Sequence, residues 1–126
     1  MNYMATYVHK KINDSEAMEL KLRIMHGLDI VPMHFMFKQL GYSRTTLEGY
    51  IYGREGRQAR ATRERLVEIR KYTNRFLHPE IQRKIRFAST CDDFLAKFTD
   101  VSISNERFKA SYNNIPESAY QNIDVL

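Results

Sequence analysis

The chain has no tryptophan, one cysteine, three prolines and five glycines among its 126 residues. A lone thiol, Cys91, makes no internal disulfide and supplies no Cys-rich metal site, so a reducing, cytoplasmic setting is expected. No apolar run approaches the length of a membrane span or of a secretory signal, so no membrane partner is expected. Repeats and low-complexity blocks are absent too. The four histidines, His9, His26, His34 and His78, do not fall at metal-ligand spacings. The stretch GREGR has two glycines but lacks the preceding strand and the Lys-Ser/Thr pair of a phosphate loop. Asp92 and Asp93 are adjacent and diverge by roughly 100° on a helix, which suits capping better than a carboxylate dyad. Cys91 sits at a helix start without an identifiable base beside it. No catalytic residue, metal or cofactor is therefore expected, and the chain does not read as an enzyme.

What is present is enough for one core. The length is that of a single domain, 43% of residues are hydrophobic, and seven Phe and eight Tyr supply bulk. Net charge is +5, unevenly spread. Residues 1–53 carry six Lys/Arg against five Asp/Glu, residues 54–86 eleven against four, and residues 87–126 three against six. Nine of the eleven in the middle are Arg, the side chain best suited to bidentate phosphate contact. A charged helical face is usually only solvated, so the run matters for what stands just before it.

That is the segment VPMHFMFKQLGYSRTTLEGYIYGREGRQAR, residues 31–60. It reads as a short helix, a turn at Gly41 where a positive φ is needed, and a second short helix capped by Ser43 and starting at Arg44. Leu40, Leu47 and Tyr50 are spaced to close the two helices on a small core. This is the sequence form of a helix-turn-helix. Ser43, Arg44, Thr45, Thr46 and Glu48 are the candidate base-reading residues. Arg pairs with guanine, and Thr offers a hydroxyl and a methyl. Arg54, Arg57, Arg60 and Arg63 are the candidate phosphate contacts. A plain helical hairpin with a glycine turn is the competing reading.

The residues FKQLGYSRTTLEGYIYGR resemble the Cro/Xre repressor-like group of helix-turn-helix regulators. The resemblance implies that Ser43, Arg44, Thr45 and Thr46 head a recognition helix. Phe37 departs from that pattern, which usually has a small residue four before the glycine. Gly49, inside the second helix, costs about 1 kcal/mol against Ala.

Elsewhere the pattern is helical. Asn13 or Asp14 caps a first helix with Met18, Leu22 and Met25 on one stripe, broadened by Leu20 and Ile24, ending at Gly27. Pro32 opens the next, with Phe35, Met36 and Leu40 inward. A longer helix spans about 61–77 on Leu66, Ile69, Thr73 and Phe76, with Val67 widening the stripe. Pro79 starts another with Ile81, Ile85 and Ala88, followed by one carrying Phe94, Leu95 and Phe98. The expected fold is all-α: a compact bundle of about five to six short helices containing a helix-turn-helix. Residues 1–12 are expected as a flexible arm, in which Tyr3, Tyr7, Lys10 and Lys11 can touch a backbone or a partner. Residues 13–98 form the DNA-binding domain, with dimerisation helices at 79–98, or else helices that complete the monomer's own core. Residues 99–126 are a loosely structured tail, in which Ser104 or Asn105 can cap one more helical turn or two ending near Tyr112.

The function expected from these residues is a homodimeric, sequence-specific regulator of double-stranded DNA. The alternative is a helical protein-binding adaptor, inhibitor or antitoxin-like protein that uses its basic face or its C-terminal tail. A third is single-strand or RNA binding, with Tyr42, Tyr50 and Tyr52 as stacking platforms, although membership of the hairpin's own core is the favoured reading of these tyrosines.

Overall fold

A computed structural model describes residues 10–53, 58–99 and 105–121 of the chain, and its regular structure is all helical. The central element is α1, Asp14–Leu28. It starts at a reciprocal cap: the Asn13 side chain accepts from the Glu16 amide (2.8 Å), and the Glu16 carboxylate accepts from the Asn13 amide (3.1 Å). Every residue from Ala17 to Gly27 is buried, so α1 is covered on all sides rather than along one stripe. It packs against four later helices: α3 (Arg44–Ile51), α4 (Arg63–Asn74), α5 (Pro79–Thr90) and α6 (Asp92–Thr99). Gly27 does not end α1. A Cβ there would stand 2.8 Å from Met36 Cε and 3.5 Å from the Phe76 ring, so the glycine lets α1 approach the helix α2, Met33–Leu40.

An all-round buried helix must bury its own polar residues, and Glu19 and Arg23 are satisfied by each other and by partners far along the chain. Glu19 is 6% exposed and Arg23 1%. Glu19 accepts from Arg23 Nε (2.9 Å) and from Arg70 Nε and Nη2 (2.8 and 2.6 Å). Arg23 also donates to Thr73 Oγ1 (2.9 Å) and Asn74 Oδ1 (2.8 Å). Burial alone would raise the Glu19 carboxyl, but the hydrogen bonds and charges of Arg70 and Arg23 outweigh it and hold it below its ordinary value. Lys21 lies over the Phe98 and Phe108 rings, 5.6 and 5.2 Å from their centroids.

Several elements differ from the sequence expectation. Phe35, expected inward, is 53% exposed, and Met36 alone of α2 is fully buried; Phe37 is half-buried. Val67 is exposed, and Tyr72 takes the inward place on α4. The end of the presumed arm is held: Ile12 is buried, Lys11 pairs in an antiparallel bridge with Thr62, and the Ile12 amide donates to the Ala61 carbonyl (3.2 Å). Residues 1–9 lie outside the described residues. In α5 and α6, read from sequence either as dimer contacts or as helices that complete the monomer's own core, Ile85, Ala88 and Phe98 are buried within the chain, and Ile81, Phe94 and Leu95 pack beside them. The presumed loose tail contains α7, Asn105–Asn113, where the sequence predicts a turn or two of helix, and also α8, Glu117–Tyr120. Phe108 and Tyr112 of α7 belong to the core. Sparse apolar residues concealed this, because two aromatic anchors four apart suffice to dock a short helix.

His26 of α1 carries a pH consequence. It is buried against the Tyr112 ring (centroids 5.2 Å apart), and its Nε2 has no hydrogen-bond partner. Burial lowers its pKa from 6.5 to about 4, with Asp29 opposing and Lys109 and Lys84 reinforcing the shift. Between those two values the unfolded chain takes up a proton that the native chain refuses, so stability falls as pH falls through that window. Urea midpoints should show a loss of roughly 2 kcal/mol between pH 7 and pH 5. His26→Phe should abolish most of it, and an unchanged pH slope in that variant would remove His26 as the cause.

Candidate nucleic-acid interface

The helices α2 and α3 are joined by three residues. Gly41 has φ +76°, the left-handed conformation that glycine adopts without steric cost, and its amide closes the end of α2. Ser43 caps α3: its Oγ accepts from the Thr46 amide (3.1 Å) and lies 2.8 Å from Thr46 Oγ1. Leu47, Gly49, Tyr50 and Ile51 are buried, which anchors α3 by its C-terminal half. Its N-terminal half faces outward, with Ser43, Arg44 and Thr45 exposed and Thr46 and Glu48 partly so. Arg44 Nε lies 3.4 Å from Glu48 Oε2, with the two side chains 68% and 40% exposed. Such an exposed pair is worth a few tenths of a kcal/mol, so it opens readily when a better partner arrives.

Gly49 has a specific neighbour. A Cβ at this position would come 3.2 Å from the Ala59 Cβ, and the Ala59 amide donates to the Gly49 carbonyl (3.0 Å). The Gln58 amide group donates to the Ala17 and Tyr50 carbonyls. The segment after α3 is thereby drawn over it, and the low helix propensity of glycine is offset by that close approach.

The predicted phosphate-contacting arginines divide into two groups. Arg54 and Arg57 lie outside the described residues. Arg60 is ion-paired to Asp14, and Arg63 to Glu16 at 2.9 Å, so both are directed to the start of α1. The cations that remain without an ion-pair partner here, among the described residues, are Lys11 and Arg65. Arg65 is held by its surroundings. Its guanidinium lies 4.7 Å from the Tyr42 ring centroid, and its Nη1 donates to Tyr50 Oη (2.9 Å). Tyr42 is fixed in turn by donating to Glu68 (2.6 Å). Burial, then that hydrogen bond, raises the Tyr42 pKa well above its ordinary value, so the phenol stays neutral. Lys11 is placed by the Lys11–Thr62 bridge and by the Arg63 amide donating to the Lys10 carbonyl (3.3 Å).

Lys11, Arg60 and Arg65 share a cleft of about 490 Å³ with Ser43, Thr45 and Thr46. No carboxylate lines it among the described residues. A second hollow of about 410 Å³ shares Lys11 and Arg65 but contains Glu64 and Glu68, so positive potential is concentrated on the α3 side. Of the three tyrosines considered for stacking, Tyr50 is in the core and Tyr42 is covered by Arg65, leaving Tyr52 exposed. Among the described residues no group of His, Cys, Asp and Glu is placed to hold a metal ion, and no helix is long and apolar enough to cross a membrane. Arg65 was visible in sequence only as one cation among eleven. Its stacking partner is 23 residues away, and nothing local signals the pair. No protein-family model, curated protein or solved structure matches this chain.

Proposed function

We propose that the chain is a sequence-specific regulator of double-stranded DNA that reads the major groove with α3 and acts as a homodimer, α2 and α3 forming a helix-turn-helix. The supporting observation is the placement of Arg44 and Thr45 on the free N-terminal half of α3, beside a cleft lined, among the described residues, by three cations and no carboxylate. Side chains in such a position reach base edges, while the neighbouring cations meet the backbone. Arg44 is the guanine reader, exchanging Glu48 for O6 and N7, and Thr45 and Thr46 contact the adjacent pair. Ser43 caps the helix, and Glu48 either accepts from a cytosine amine or holds Arg44 in register.

The test is retention from a pool of random duplexes at two salt concentrations, read by sequencing. A palindrome with two short half-sites one helical turn apart is the expected result. Arg44→Ala should relax the preference at one position of each half-site while leaving the fold intact. Absence of retention even at low salt would overturn the DNA reading. Retention without enrichment would reduce it to nonspecific binding.

A further inference from the structure

Most of the arginines on this side of the molecule are already committed. Arg23 and Arg70 close on Glu19, Arg60 on Asp14, and Arg63 on Glu16. Lys11 and Arg65 have no such partner among the described residues, and both line the same cleft; the Arg65 side chain is held in place, while Lys11 is placed through its backbone. Holding an unpaired cation still is unfavourable in the absence of an anion, because it forgoes side-chain entropy without gaining charge neutralisation. Arg65 is stacked on Tyr42 and bonded to Tyr50 through one nitrogen. That geometry leaves other N–H groups of the planar fork available for an acceptor with two oxygens. Thr45 and Thr46 add hydroxyls to the same wall, and among the described residues the lining contains no carboxylate to compete.

We infer that this cleft is a seat for one phosphate group, held by Lys11 and Arg65 with the Thr45 and Thr46 hydroxyls completing the contacts. The inference rests on the DNA reading only for the source of the phosphate, which would then be a backbone phosphate flanking the bases read by Arg44. It replaces Arg60 and Arg63 by Lys11 and Arg65 as the principal grip. A free phosphate ester satisfies the same chemistry, and the cleft volume lies within the range of small-molecule sites.

The experiment has two arms. In the first, inorganic phosphate is titrated into the full chain at constant ionic strength and followed by amide NMR. Saturable shifts are expected at Thr45, Thr46 and Arg65. Arg65→Met, which keeps an apolar stem over Tyr42, and Lys11→Gln, at an exposed position, should each weaken binding at least tenfold. Arg75→Gln removes the same charge about 15 Å away, just past the end of α4, and should not. In the second arm the same variants are titrated with a short duplex, where each should weaken all sequences alike and reduce the salt slope by about one. Phosphate binding that is absent, or equal in parent and variants, overturns the seat. A phosphate site abolished by the variants, in a chain that binds no duplex, keeps the seat, assigns it to a free phosphate ester and overturns the DNA reading.

Discussion

Glu19→Ala is expected to destabilise the protein by about 3–5 kcal/mol, the usual cost of removing one partner from a buried ion pair. The reason lies in what would be left behind. Arg23, 1% exposed, would lose its carboxylate while still enclosed on α1, and Arg70 would face it as a second positive charge. Arg70 is about one-third exposed and can swing outward; Arg23 cannot. Thr73 and Asn74 still accept from Arg23, but neutral acceptors do not balance its charge. Against a total stability of about 5–15 kcal/mol for a domain of this kind, the loss is large enough to leave much of the chain unfolded at modest urea. Equilibrium urea unfolding of parent, Glu19→Ala, Arg23→Met and the double variant gives the coupling directly. The double variant should be more stable than Glu19→Ala, because it removes the stranded charge together with its partner. Simple additivity of the two single losses would show that the carboxylate and guanidinium are not coupled.

Phe108→Ala should cost a similar amount, about 3–5 kcal/mol, as expected for truncating a buried aromatic ring. Phe108 is 2% exposed, packs edge-on against Phe94 (centroids 6.3 Å apart), and lies under the Lys21 ammonium. Removing the ring opens a cavity and uncovers a lysine stem on the central helix. The loosely structured tail expected from sequence implies the opposite result, since a residue outside the core changes stability by no more than about 0.5 kcal/mol. Thermal or urea unfolding separates the two by a wide margin. Should Phe108→Ala prove neutral, α7 would not be part of the cooperative unit. Truncations intended to probe a tail-bound partner are better placed after Tyr120, because earlier ones also remove the buried Tyr120, Tyr112 or Phe108.

The features decided within a few residues were legible in the sequence. Ser43 caps α3, Pro79 opens α5, and Gly41 takes the left-handed turn between α2 and α3. Each depends on a hydrogen bond or a dihedral preference that spans at most a few positions. The all-helical character follows from the same local signals summed along the chain. The centre of the fold was not legible. The stretch 31–60 attracts attention because its turn is conspicuous, while α1 presents an ordinary stripe with charged residues on its other faces. Only the later helices, folding back over those faces, turn Glu19, Lys21 and Arg23 into core residues.

The candidate interface shows the same division. Sequence alone identified the exposed start of α3, because a cap and the inward Leu47, Tyr50 and Ile51 determine which side chains are left over. It also identified the excess of arginine, but an excess has no direction. Whether an arginine is available to a ligand depends on carboxylates that meet it through the fold, 46 residues away for Arg60 and 47 for Arg63. Arg65 stays available because Tyr42 and Tyr50 hold it without neutralising it. Charge and local turns are properties of the chain; which charges are spent and which remain is decided only when distant segments are brought into contact.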